Sequence, residues 1–190
     1  MPVASYGRAD MVASVPLDSR VTRQPCDQSP RTQGMAPMNE WPHRRQVTLV
    51  ALPNASYWAR RHTEAILTEW HAGGLVANAN LVVTELVTNA VKATGILDAQ
   101  AYRDYTDCPR SVPYAKLIEV GVIRLRLSHA YRHLLVEVWD GCDAPPDEQL
   151  PDFDSEGGRG LFIVGALCEQ WGWCPAEGGG KVVWAELKAP

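Results

Sequence analysis

The sequence predicts an α+β two-layer sandwich, in which a mixed, largely antiparallel sheet carries its helices on one face. Hydrophobic periodicity gives the element order strand, helix, helix, strand, strand, helix, strand, strand. This order lacks the regular strand–helix–strand alternation of a parallel sheet. The helical stretch LVVTELVTNAVKATG (81–95) is also apolar over a wide arc, as expected of a helix that packs on a sheet, but polar along one narrow stripe.

The composition is typical of one globular domain. The 190 residues are 46% hydrophobic and 21% charged, which suffices for one well-buried core. A formal charge of −4 and a pI near 5.7 give no electrostatic basis for direct binding to nucleic acid or to an anionic membrane. The apolar runs are shorter than the roughly 20 residues of a membrane-spanning helix. Five cysteines without a CxxC pair are interpreted as reduced thiols, which predicts a cytoplasmic protein.

The chain divides into a leader and one folded domain. Residues 1–44 mix Pro, Ser, Gln, Gly and Arg without a sustained period, so we predict a disordered leader. Residues 45–190 are predicted to form the domain. Within it, residues 96–117 carry two prolines and no clean period. They are predicted to be an inserted long loop, with or without a short helix, that covers a site or contacts a partner.

Each element of the domain has its own local signal. The stretch RQVTLVAL alternates as a strand, and a helix follows Pro53 with Asn54 or Ser56 as its capping candidate. The polar stripe lies on a second helix that Gly95 ends. The remaining predictions are the second helix over 76–94, a hairpin of strands 120–128 and 133–140, a helix over 161–171, and a closing hairpin that turns at 177–180.

The polar stripe consists of Glu85, Asn89 and Lys92. On a helix these residues fall within about 60° of one another, so Glu85 and Asn89 can share one ligand. The Asn carbonyl oxygen suits Mg²⁺, and the Glu carboxylate can orient a water or accept a hydroxyl proton. A solvated face of an amphipathic helix is the alternative for this pattern taken alone.

Two further stretches have the chemistry of a ligand site. Asp140 ends a buried-looking strand and precedes Gly141, so the backbone can approach a planar ligand while the carboxylate accepts from an amine such as that of adenine. The alternative is a simple Asp-Gly turn. In GGRGLFIV, Gly158, Arg159 and Gly160 precede a helix, and a glycine-rich helix N-terminus is suited to phosphate. The alternative there is a helix cap.

Taken together and in this order, these motifs resemble a known superfamily. ELVTNAVKA, DGCDAPP, and GRGLFIVGAL with the closing GGGKVVWAEL resemble the asparagine box and the two glycine boxes of the GHKL ATPase/kinase superfamily. The likeness covers about residues 45–188 and is greatest to the single-domain anti-sigma-factor serine kinases. The resemblance implies a Bergerat-type (histidine-kinase-like) ATPase fold that binds ATP and Mg²⁺.

The resemblance also implies roles for individual residues. Glu85 corresponds to the catalytic or water-positioning carboxylate, Asn89 to the Mg²⁺ ligand, and Asp140 to the carboxylate that reads the adenine amine. Gly158, Gly160 and Leu161 correspond to the lid on the phosphate side. Lys92 stands where relatives have a basic residue near the phosphates, with a solvated lysine as the alternative.

The sequence departs from the family in three places. Ala93 stands where this branch often has histidine, which removes one polar contact. The first glycine box has Cys142 at its second position and is followed by Pro145 and Pro146, as in the anti-sigma branch rather than the histidine kinases. The third departure is the insertion at 96–117.

The resemblance implies a serine/threonine protein kinase that transfers phosphate to an anti-anti-sigma-like antagonist and whose other partner is a sigma factor. The alternative is a non-catalytic nucleotide-binding module that sequesters a regulatory partner. A histidine kinase is disfavoured because no helical domain with a phosphoacceptor histidine precedes the fold; His43 and His62 are interpreted as surface or packing residues. By analogy with the anti-sigma branch a homodimer is expected. His129 and His133, on opposite sides of a turn, give little support for a metal site.

Overall fold

The strands of the domain form one open sheet. The computed structural model describes residues 21–23, 41–94, 99–108, 110, 113, 115, 120–146 and 160–190. In this part of the chain the sheet has 6 strands in the order β1-β5-β6-β4-β3-β2. The strands are β1 (Val21–Arg23), β2 (His43–Val50), β3 (Val122–Ala130), β4 (His133–Asp140), β5 (Gln170–Pro175) and β6 (Lys181–Lys188).

Strands β2 to β6 pair antiparallel, and only the short β1 pairs parallel, with β5. The described helices are α1 (Ala55–Glu69), α2 (Val76–Thr94), α3 (Ala99–Asp107) and α4 (Gly160–Leu167), with a 3-10 turn over Gly73–Leu75. The predicted α+β class, with a largely antiparallel sheet, is confirmed.

The core lies between α2 and one face of the sheet. Val83, Leu86, Val87 and Ala90 are buried on α2, on the arc opposite the polar stripe. Alternate residues of the central strands meet them from the sheet, because successive side chains of a strand point to opposite faces. These strand residues are Ile123, Leu125, Leu127, Leu134, Val136, Val138, Val183, Ala185 and Leu187. The apolar face of α2 and the apolar face of the central strands thus pack together in one layer, and this packing holds α2 over β4 and β6.

The stretch Gly73–Thr94 is, by length and composition alone, apolar enough to cross a membrane. In the fold, however, α2 contributes fully buried residues such as Val82, Val83 and Val87 to the core. A core helix passes the same composition test, and the burial of these residues assigns α2 as the central helix of the core.

Several predicted boundaries differ from the structure. Strand β2 begins at His43, two residues inside the predicted leader, and Val21–Arg23 also forms a strand there, so the prediction of disorder is wrong for these residues. The rest of the leader lies outside the described residues and stays a prediction. Helix α4 ends at Leu167 instead of residue 171, because the chain turns into β5 at Gln170.

The insertion at 96–117 contains α3, whose Tyr102 packs against the core. This is the short helix that the sequence left open. Residues 95–98, 109, 111–112, 114 and 116–119 lie outside the described residues.

The cysteines differ in state. Cys108, Cys142 and Cys168 are not disulfide-bonded. Cys174 on β5 is disulfide-bonded, so the prediction of five reduced thiols is wrong for this residue. Burial, and next the charge of the nearby Glu186 carboxylate, raise the pKa of the Cys168 thiol to about 12.

Candidate functional site

A cavity of about 460 Å³ opens between α2, the adjacent ends of β4 and β6, and the start of α4. Its walls include the apolar side chains of Leu86, Val138, Leu161 and Val183. Its polar lining includes Asn89, Lys92, Asp140 and Lys181. This volume, with mostly apolar walls and a few convergent polar groups, is typical of a small-molecule site.

Asp140 forms the polar floor of the cavity. It is the last residue of β4 and only 1% exposed. Its Oδ1 accepts a hydrogen bond of 2.9 Å from Lys181 Nζ and another of 2.9 Å from the backbone N–H of Cys142. Lys181 Nζ also donates to the carbonyl oxygen of Cys142 at 3.1 Å. Among the described residues, both hydrogen bonds that Asp140 accepts fall on Oδ1, and Oδ2 is the oxygen that could accept a hydrogen bond from a ligand amine.

Lys181 was missed by the sequence analysis. It is 2% exposed and stands opposite Asp140 in the register between β4 and β6. The turn that precedes Lys181 was predicted, but the pairing of β6 with β4 is a long-range contact that no local pattern encodes. A lone buried carboxylate is costly, and this was the one available signal that a cation must lie nearby.

The start of α4 lies directly on the polar stripe of α2. A Cβ at Gly160, the first residue of α4, would lie 2.7 Å from Glu85 Oε2 and 3.5 Å from Asn89 Nδ2. Only a glycine allows α4 to approach so closely without displacing Glu85. The structure thus brings together the polar stripe and the glycine-rich motif, although Asn89 and Gly160 are 71 positions apart in sequence (160 minus 89).

The remaining predicted site residues fall into two groups. Asn89 and Lys92 line the cavity, with Asn89 half-buried and Lys92 exposed, and Leu161 is buried in its wall. Gly141 lies next to Asp140 but not among the lining residues, and a Cβ there would meet Trp139 only at 3.9 Å, an ordinary contact. The expected close backbone approach at Gly141 therefore gains no support. Gly158 and Arg159 lie outside the described residues.

The turn between β5 and β6 holds the loop that follows Asp140. Gly178, Gly179 and Gly180 all have positive φ. The N–H of Gly180 donates to Asp143 Oδ1 at 2.6 Å, and Trp139 Nε1 donates to the Gly179 carbonyl oxygen at 3.2 Å. A Cβ at Gly180 would lie 2.1 Å from the carbonyl oxygen of Asp140. The turn therefore fixes one rim of the cavity, a role that the sequence analysis did not assign to these glycines.

Comparison with known protein families supports the assignment of the fold. No curated protein matches the chain. The protein family described as "Histidine kinase-, DNA gyrase B-, and HSP90-like ATPase" matches residues 76–190. This range begins at the first residue of α2 and includes every residue of the cavity described above. The GHKL resemblance is confirmed at this level, and the chain belongs to the family of histidine kinase-, DNA gyrase B- and HSP90-like ATPases.

Proposed function

We propose that this protein binds Mg·ATP in the cavity and acts as an anti-sigma-factor-like serine/threonine protein kinase that controls transcription through protein partners. The observation that carries the proposal is the contact between the start of α4 and the stripe of Glu85 and Asn89, at the mouth of a cavity whose floor is a buried Asp140. Asn89 and Asp140 line one cavity, and Glu85 lies beside the start of α4 next to it, which supports assigning metal-binding, base-reading and acid–base roles to these three residues.

The floor fits an adenine ring. Leu86, Val138 and Val183 supply apolar walls for the two faces of a flat heterocycle. Asp140 Oδ2 would accept a hydrogen bond from the exocyclic amine, while Lys181 keeps the buried carboxylate compensated. Guanine presents a carbonyl oxygen at the corresponding position, so the carboxylate favours adenine.

The mouth fits the triphosphate and its metal ion. Asn89 offers an amide oxygen, a hard donor that suits Mg²⁺ with phosphate oxygens as its other ligands. When bound there, Mg²⁺ would neutralise the charge that develops on the transferred phosphoryl group. The backbone N–H groups at the start of α4 and the ammonium group of Lys92 would hold phosphate oxygens.

Glu85 is the group on this stripe that can move a proton. Its Oε2 lies at the N-terminus of α4, where the phosphate end of the nucleotide would be held. From there the carboxylate would accept the proton of an incoming Ser or Thr hydroxyl, or orient that hydroxyl for attack. Pure nucleotide binding has little need of such a carboxylate, and for this reason we prefer a kinase to a non-catalytic module.

Calorimetric titration of the purified chain with ATP, with and without Mg²⁺, tests the binding half of the proposal. We expect Mg²⁺-dependent binding that is lost in Asp140→Ala and largely retained in Glu85→Ala. Glu177→Ala is the matched control, because it removes an exposed carboxylate from the turn near the site without a described contact. Absence of ATP binding by folded wild-type protein would overturn the proposal.

Transfer from γ-labelled ATP to anti-anti-sigma-like proteins of the same organism tests the catalytic half. We expect label on a Ser or Thr of one such protein with wild type and with Glu177→Ala, and none with Glu85→Ala. Binding of ATP without transfer would instead support the module that sequesters a partner. Sedimentation of the chain with a candidate sigma factor, and alone, tests the proposed partner and the proposed homodimer.

A further inference from the structure

A cluster of three ligand-type side chains lies at the end of the sheet opposite the nucleotide cavity. His133 begins β4, Glu186 lies near the end of β6, and Glu169 precedes β5. One donor atom from each lies within 4.8 Å of the other two. His133 Nδ1 is 3.0 Å from Glu186 Oε1 and 3.6 Å from Glu169 Oε2.

The buried members of this cluster lack hydrogen-bond partners at the atoms that converge. Glu186 is 1% exposed, and its Oε2 accepts a hydrogen bond of 2.6 Å from Gln170 Nε2. Its Oε1 and His133 Nδ1 are both shielded from solvent, and neither makes a hydrogen bond despite their proximity. His133 Nδ1 and Glu186 Oε1 face each other at 3.0 Å without the geometry of a hydrogen bond, and a cation held by both atoms would satisfy the buried carboxylate.

We propose that His133, Glu169 and Glu186 form a binding site for a divalent metal ion of the zinc class. Zn²⁺ binds imidazole nitrogen and carboxylate oxygen at about 2.0–2.2 Å, so its tetrahedral ligands are about 3.3–3.5 Å apart. The two distances from His133 Nδ1 bracket this spacing. Imidazole together with carboxylate favours Zn²⁺ over the hard ions Mg²⁺ and Ca²⁺.

The surroundings of the cluster resemble those of a metal centre. Gln170 orients Glu186 from behind, as the second layer of residues does around bound metals. Three protein ligands leave one coordination position for water or for a group from outside the chain. The ion would tie together β4, β6 and the segment that leads into β5, and it would therefore stabilise the folded state.

The ammonium group of Lys188 would compete with the metal ion for the Glu169 carboxylate. Its ammonium group lies 3.4 Å from Glu169 Oε1, with 48% of the side chain exposed. An exposed pair of this kind contributes little, so the lysine can turn into solvent when a metal ion arrives. We therefore expect Lys188→Gln to bind Zn²⁺ more tightly than wild type.

The site is separate from the nucleotide cavity. His133 pairs with Lys188 at one end of the β4–β6 ladder, and Asp140 pairs with Lys181 at the other end. The Mg²⁺ of the proposed kinase would lie at the second end, so Zn²⁺ binding can be measured without nucleotide.

Competition between the tag-free full chain and a chromophoric Zn²⁺ chelator tests the proposal. We expect wild type to withdraw Zn²⁺ from the chelator, and Glu186→Gln and His133→Gln each to bind it at least about tenfold more weakly. His62→Gln is the control, since His62 is an exposed histidine on α1. Mg²⁺ added in excess should not displace the Zn²⁺.

Thermal unfolding with and without Zn²⁺ provides the second measurement. Zn²⁺ should raise the melting temperature of wild type and of His62→Gln but not of Glu186→Gln, because a ligand stabilises only the state that binds it. Glu169→Gln changes an exposed residue and keeps the test valid if Glu186→Gln does not fold. Equal Zn²⁺ affinity in wild type and in these variants would place the metal outside this cluster and overturn the proposal.

Discussion

Gly180 lies in the turn between β5 and β6 and packs closely against the backbone of Asp140, the residue on the floor of the cavity. Its φ of +78° is strained for any other residue, and a Cβ there would overlap the carbonyl oxygen of Asp140. Backbone atoms cannot move aside as a flexible side chain can. We expect Gly180→Ala to lower the free energy of unfolding by about 3 kcal/mol or more and to abolish ATP binding. Chemical denaturation and calorimetry measure the two effects.

Gly178→Ala is the matched control for this substitution. Gly178 has a similar φ of +88°, but a Cβ there meets nothing within 4 Å. It should therefore cost only the conformational strain of about 1–2 kcal/mol and leave ATP binding intact. Equal losses in the two variants would mean that strain alone, rather than contact with Asp140, governs this turn.

The cysteines that are not disulfide-bonded should differ in their chemical modification. Cys142 lines the cavity and Cys108 is exposed, whereas burial and the Glu186 charge raise the pKa of Cys168 to about 12. Because the thiolate is the reactive form, iodoacetamide at neutral pH should label Cys108 and Cys142 and spare Cys168 in the folded protein. Mg·ATP should protect Cys142 alone. Mass spectrometry of the labelled peptides checks this, and labelling of Cys142 unchanged by nucleotide would place the nucleotide elsewhere.

At the level of elements, the contact between α4 and α2 controls the position of Glu85. In Gly160→Ala, the new methyl group would push Glu85 Oε2, the far end of a flexible side chain, out of its place. We expect a change of less than about 1 kcal/mol in the free energy of unfolding. Turnover should fall by about 100-fold, because misplacement of a catalytic group by 1 Å costs that much.

Phe162→Ala serves as control for this prediction, because it shortens a side chain of the same helix that is 65% exposed. It should leave both stability and turnover near those of wild type. Wild-type turnover in Gly160→Ala would show that Glu85 does not act at the chemical step.

A second contact between elements makes stability depend on pH. At the end of α1, Trp70 stacks on His129 of β3 with ring centroids 6.0 Å apart, and His43 of β2 lies 5.9 Å from His129. Burial, and next the charge of His43, lower the pKa of His129 below its usual 6.5. The unfolded chain therefore binds more protons below about pH 6.5, so the contribution of His129 is full above that pH and is lost as pH falls.

We expect the free energy of unfolding to be lower at about pH 5 than at about pH 7, and this difference to shrink in His129→Gln. Urea denaturation of both proteins at the two pH values measures it. An unchanged difference in the variant would assign the pH dependence to other groups.

At the scale of the whole molecule, local sequence patterns were enough to predict most of the helices and strands. Strong periodicity predicted α2, which buries one face, and apolar runs next to turn residues predicted the strands of both hairpins, although β4 and β6 are buried at nearly every position. Strand β1 could not be predicted, since its residues VTR gain order only from pairing with β5, about 150 positions away. The end of α4 was misjudged because no glycine or proline in ALCEQW marks where the helix stops, and Gln170 and Trp171 belong to β5.

The site shows the same division between local and long-range information. Asn89, Asp140 and Leu161 could be chosen from sequence because each belongs to a short motif, and the structure brings them to one cavity. Lys181 and Gly180 could not, because their roles arise from the pairing of β6 with β4. The roles of all these residues in binding and catalysis remain the predictions set out above.

The buried pair of Asp140 and Lys181 has a consequence for ionic strength. Two opposite charges that lie 2.9 Å apart and are almost fully buried are screened little by salt, and together they add no net charge to the floor. At the phosphate end, by contrast, Lys92 is exposed and its attraction for a polyanion weakens as salt is added. The affinity for adenosine should therefore be nearly constant between low and high salt, while the affinity for ATP should decline. A salt titration with the two ligands thus distinguishes the base-reading end of the cavity from its phosphate-binding end.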